Sequence, residues 1–131
     1  MMNFISLSRK RTNFESVRWQ TSRELPEVRF AVREPSLQKR IDLTRQLHEL
    51  TLRNDFLASG REMEQLELAL AELLVQKLLV EWGLASIEGL YIDGKPATPS
   101  QLIDTGPERL VAEIATAVRE RCGLTEEERK N

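Results

Sequence analysis

The chain has one histidine, His48, and one cysteine, Cys122, so nucleophilic or metal chemistry would have to be built from these and from carboxylates. A nucleophile–base pair or a metal site needs partners close in space. His48 falls mid-way along a helical pattern, with Arg45, Glu49 and Arg53 beside it and Asp42 further back; these give no ligand set. A surface or boundary histidine is the expectation. Cys122 stands at helical spacing from Val118 and Ile114, the setting of a small buried hydrophobe more than of a reactive thiol. Carboxylates are plentiful at Glu62, Glu64, Glu67 and Glu72, and again at Glu126, Glu127 and Glu128. Paired acids can do general acid–base work, but these stand near expected helix starts, where the positive end of the helix dipole accounts for them. Asp93-Gly94 begins like a calcium loop and then lacks the further ligands. The glycines form neither a phosphate-binding loop nor a dinucleotide fingerprint. No catalytic residue, metal ligand or cofactor is expected, and the chain reads as a protein that acts by binding another protein.

The elements that would carry such a surface follow from periodicity. Residues 1–25 show no helical period and read as a basic arm, ordered where Phe4, Phe14 or Trp19 can dock. Val28, Phe30 and Val32 alternate with charged neighbours, which predicts a short strand. After Pro35, Ser36 is a good N-cap, and Leu37, Ile41, Leu43, Leu47, Leu50 and Leu57 mark a first helix that stops at Ser59-Gly60. A second helix runs from Arg61 to about Trp82, with Met63, Leu66, Leu70, Leu73, Leu74, Leu78 and Trp82 as its stripe, and Gly83 closes it. Leu90 and Ile92 around Asp93-Gly94 predict a small hairpin, with Pro96 at an edge. Thr98-Pro99-Ser100-Gln101 is a capping box with proline at the first helical position. Gly106-Pro107 breaks that short helix. A last helix follows with Leu110, Val111, Ile114, Val118 and Cys122 on one face, and Thr125 with Glu128 caps a final polar turn. The expected fold is mainly α: about four helices in one small domain spanning 26–131, with a minor β-hairpin and a short amino-terminal strand.

A length of 131 residues suits one core, and 40% apolar with 31% charged residues suits a folded chain. The net charge of −2 hides an asymmetry, since Arg9, Lys10, Arg11, Arg18, Arg23, Arg29 and Arg33 crowd the first quarter. Such an arm can touch nucleic acid, but the run is short and a solvated lead-in is the plainer expectation. The lone cysteine excludes an intramolecular disulfide and points to a reducing cytoplasm. No apolar run approaches the roughly 20 residues of a membrane span, and the first residues do not resemble a signal peptide.

The surplus of apolar side chains lies late in the second helix, where Leu73-Leu74-Val75-Gln76-Lys77-Leu78-Leu79-Val80 is apolar almost all round. Such a helix is central to a core or shares a face with a partner. The residues expected to bind a partner are Leu74, Leu78, Leu79 and Trp82, with Leu90, Tyr91 and Ile92 of the hairpin, aromatics being enriched in hot spots. Building the core of a small domain is the competing use for the same residues.

Several stretches resemble one family. They are Val80-Glu81-Trp82-Gly83-Leu84, Ile87-Glu88-Gly89-Leu90-Tyr91-Ile92-Asp93-Gly94 with Thr98, Gly106-Pro107-Glu108, and Gly123-Leu124-Thr125-Glu126-Glu127-Glu128-Arg129-Lys130-Asn131. Upstream, Val28-Arg29-Phe30, Pro35-Ser36, Arg40, Leu43, Phe56, Ser59 and Gly60 fit the same pattern. With these the chain is similar to the phage and prophage tail assembly chaperones, over roughly residues 26–131. The resemblance implies a helical protein of the host bacterial cytoplasm that binds the hydrophobic tape-measure protein, or another tail protein, and keeps it soluble until tube subunits polymerise around it. It also implies a capacity to self-associate, and a short form alongside a frameshifted longer one. It carries no active site and no binding motif that maps residue by residue. Two rivals use the same features: a structural tail-completion or adaptor subunit of the virion, and a small nucleic-acid-binding regulator, for which the chain lacks a clear recognition helix.

Overall fold

Phe30 and Val32 enter the core from strand β2 (Arg29–Arg33), with Val28 just before it, and Ala31 between them is buried as well. The computed structural model describes residues 11–57 and 60–124. The docking of Phe4, the Arg9-Lys10 pair, Ser59 and the Thr125–Glu128 box lie outside the described residues.

β2 is the middle of a three-stranded antiparallel sheet in the order β1-β2-β3, with β1 at Val17–Thr21 and β3 at Leu84–Glu88. The register pairs Trp19 with Ala31 and Gln20 with Phe30 on one side of β2, and Phe30 with Ile87 and Ala31 with Ser86 on the other. Between Ala31 and Val32 the register against β3 shifts, bringing Leu84 opposite Val32. A second sheet is the hairpin β4 (Tyr91–Ile92) and β5 (Lys95–Pro96). Asp93 and Gly94 both have positive φ at its turn, as a two-residue hairpin turn with the strands' own twist requires.

Four helices complete the described chain: α1 (Leu37–Leu57), α2 (Arg61–Gly83), α3 (Pro99–Thr105) and α4 (Glu108–Arg121). Ser36 starts α1, its hydroxyl accepting from the Lys39 N–H at 3.2 Å. Thr98 and Gln101 close a reciprocal capping box on α3, at 3.2 and 3.1 Å. Leu110, Ile114, Val118 and Cys122 bring α4 down onto the inner face of the sheet, where they meet Val28, Phe30, Val32 and Leu84, with Leu79 and Val80 of α2, Leu43 of α1 and Leu102 of α3 completing the core.

The fold is therefore mixed α/β, not the mainly helical one with a single hairpin that the sequence suggested. Two of the three strands of the larger sheet were not expected from the sequence. β1 falls inside the segment read as an arm, and alternating burial is absent from Val-Arg-Trp-Gln-Thr because backbone pairing to β2, more than a buried face, holds this edge strand. β3 follows α2 with no intervening loop, so its few residues read as the tail of a helix and the approach to a hairpin. Gly83, expected as a helix stop, has another duty: a Cβ there would lie 2.5 Å from a Val118 methyl, so glycine is what lets α2 and α4 close on each other.

Candidate interaction surface

Helix α2 is built from strong helix formers, with Glu62 and Glu64 in its first turn. Only its last turns reach the core: Leu79, Val80 and Gly83 are buried, and no residue from 61 to 78 is fully so. Its partner α1 contributes one fully buried side chain among the described residues, Leu43, with Leu47 and Leu50 half-buried. Joined across 58–60 and packed on each other, the two form an antiparallel hairpin whose root is at Leu43, Leu79 and Val80. Val75 and Leu78 still pack against the core, and the 61–74 stretch before them extends roughly 21 Å at 1.5 Å per residue.

Two apolar rows run along this hairpin in solvent. On α2 they are Met63, Leu66, Leu70 and Leu73, with Leu66 67% and Leu73 52% exposed. The 3-4-3 spacing puts all four on one stripe, about a quarter turn from the half-buried row of Glu67, Ala71, Leu74 and Leu78 that faces α1. Glu62 and Glu67 flank it. On α1, Leu37, Ile41 and Leu52 are exposed on the side away from Leu43, Leu47 and Leu50. A shallow, open groove of about 450 Å³ lies there, lined by Leu37, Arg40, Ile41, Thr44, Arg45 and His48. These exposed apolar rows make the hairpin the candidate interaction surface.

The residues expected to bind a partner are dispersed by the fold. Leu79 has no exposed surface and belongs to the core. Leu78, Trp82 and Leu90 are partly buried against that core, Leu74 is half-buried, and Ile92 is half-buried in β4. Tyr91 alone among the seven is well exposed, at 66%. The exposed row was visible in the sequence only as the helix's stripe. The missing signal was that α2 is apolar on two adjacent faces, whereas one neighbour, α1, can cover only one of them.

Residues that could do chemistry are kept apart. His48 is exposed on α1, and Cys122 is buried at the end of α4, where burial pushes its thiol up to about 11, with Arg40 nearby opposing and Glu34 adding to the rise. Among the described residues no group of three or more His, Cys, Asp or Glu could hold a metal ion. No helix among them is long and apolar enough to cross a membrane. Glu34, next after β2, ties elements together: it lies 2.6 Å from Arg18 of β1 and 3.7 Å from Arg121 of α4. No protein-family model, curated protein or solved structure matches the chain.

Proposed function

We propose that this chain is a non-catalytic chaperone of phage tail assembly, acting in the bacterial cytoplasm to hold apolar helical segments of the tape-measure protein until the tail tube forms around them. The observation that carries this reading is the exposed row Met63, Leu66, Leu70 and Leu73 on a hairpin that extends beyond the core. A row of this spacing accepts an amphipathic helix, the helix-in-groove mode of recognition. A long helical protein awaiting assembly offers many such stripes, so weak contacts repeated by several copies would hold it and still release it. The second support is the sequence resemblance to tail assembly chaperones over roughly residues 26–131.

Co-expression with the longest tail-gene product encoded nearby tests the reading. The expected result is that the partner becomes soluble and co-purifies, and that Leu66→Asp with Leu73→Asp abolishes capture while the fold is retained. A protein that ignores this partner and remains in purified particles would instead be a structural tail subunit.

A further inference from the structure

We propose that the free edge of β1 takes up an extended, acidic segment of another protein as a fourth strand of the larger sheet. β1 is an edge strand that packs chiefly on β2. Ser22 donates its backbone N–H to the Val28 carbonyl and Ser16 accepts from the Glu34 N–H, both at 2.8 Å. The even-numbered residues of this stretch therefore turn their main-chain groups to β2. The N–H and C=O of Val17, Trp19 and Thr21 point the other way, and nothing among the described residues bonds them. Edge strands are commonly guarded by proline, a free inward charge or a covering element. Val-Arg-Trp-Gln-Thr has no proline, and its one charge, Arg18, is engaged by Glu34.

Beside this edge an open groove of about 410 Å³ lies between β1 and α4. Gln20 and Thr21 line one side of it, and the small side chains of Ala112, Thr116 and Ala117 line the other. Both ends of the strand are tied to α4. Glu113 holds Ser22 and the Arg23 N–H at one end, and Glu34 joins Arg18 to Arg121 at the other. The edge is thus in place before a partner arrives, which lowers the ordering cost of adding one. Residues directly opposite each other share a face of a sheet. In an added antiparallel strand, those opposite Arg18 and Gln20 would enter the groove, where small side chains fit. Those opposite Val17, Trp19 and Thr21 would lie on the outer face, beside the Trp19 ring that Arg29 covers at 5.1 Å. β1 and β2 together hold Arg18, Arg29 and Arg33 and no carboxylate. Arg18 and Arg29 are paired with Glu34 and Glu88, whereas Arg33, across from Val17, has no ion-pair partner among the described residues. An acidic side chain opposite Val17 would supply it. In strand addition the backbone gives affinity and alternate side chains give specificity. The inference does not rest on the chaperone reading, since it shares no element with the α2 row.

Selection of short linear peptides from a display library on the full chain tests it. The enriched peptides are expected to alternate small and apolar side chains, with an acidic residue toward the carboxyl end. Made synthetically, the best of them should lose binding when methylated on alternate backbone nitrogens. Methylation of the nitrogens between should leave it, since only every second N–H of an added strand faces β1. Thr21→Pro removes an outward N–H without touching the ladder to β2. It should weaken that peptide about tenfold or more, with the melting temperature unchanged. Val17→Pro serves if Thr21→Pro does not fold. Arg33→Glu should weaken the peptide as well, and Leu66→Asp should bind it as wild type does. Failure to enrich any peptide overturns the inference, as does a best binder that Thr21→Pro still takes or whose methylation pattern shows no alternation. Loss of the peptide in Leu66→Asp alone would place it on the α2 row. A dimer of the free protein that Thr21→Pro abolishes would mean that the edge takes another copy; either result overturns the inference too.

Discussion

The Ser22 hydroxyl donates to Glu113 Oε1 at 2.6 Å, joining the end of β1 to α4 across 91 residues of sequence. The second carboxylate oxygen, Oε2, accepts the Arg23 backbone N–H at 2.7 Å, and Ser22 Oγ itself accepts from the Leu25 N–H at 2.9 Å. Ser22 is the buried polar residue at this corner, and its hydroxyl is used as both donor and acceptor. One carboxylate thus fixes the turn that carries the chain from the edge strand into β2.

Ser22→Ala removes the acceptor of the Leu25 N–H and a donor to Glu113, and is expected to cost about 1–3 kcal/mol. Urea denaturation of the variant against wild type measures it. Glu113→Ala should cost a similar amount, and the double variant less than the sum, because both act on one network.

Gly83→Ala places a methyl group 2.5–2.6 Å from both Val118 Cγ atoms. The expected loss is about 1–3 kcal/mol from overpacking. In a Val118→Ala background both methyl clashes go and only the Cβ of residue 118 remains close, at 3.1 Å, so the same change is expected to cost clearly less than in wild type. A thermal-denaturation cycle over the four proteins measures the difference.

The Cys122 thiol is raised by burial to about 11 from its usual 9.0. Between these values the unfolded chain releases the proton and the folded one keeps it, so folding stability falls as pH rises above 9. Comparing wild type with Cys122→Val across pH 8 to 11 isolates this slope. At neutral pH the folded protein should resist thiol reagents, with labelling limited by unfolding.

Leu66→Asp and Leu70→Asp change exposed positions on α2 and should alter stability by no more than about 0.5 kcal/mol each. Both should reduce binding of a hydrophobic dye in proportion to the row removed. A large loss of stability from either would show that the row packs inside the protein rather than serving a partner.

Punctuation was the most legible layer of this sequence. The capping box at Thr98 and Gln101, the Asp93-Gly94 turn and the alternation of Val28, Phe30 and Val32 announce themselves through local chemistry and are found where they were expected. Long-range pairing was not legible. Val17 and Trp19 do alternate with Arg18 and Gln20, but over only five residues, and nothing in that short run shows that it will pair with Arg29–Arg33. For the interaction surface, the total of apolar side chains on α2 was evident, but their division was not. Leu79 and Leu73 look alike in sequence, and which is buried and which exposed depends on where α4 and the sheet stop.

That stopping point makes the hairpin a lever. Its root is at Leu43, Leu79 and Val80, with Leu47, Val75 and Leu78 packed against the core beside them, and beyond these no residue of α2 is fully buried. With an arm of roughly 21 Å, a tilt of about ten degrees at the root sweeps the far end through about 4 Å, more than the rise of two helical residues. The packing of the few side chains at the root therefore sets the angle at which the whole arm is presented.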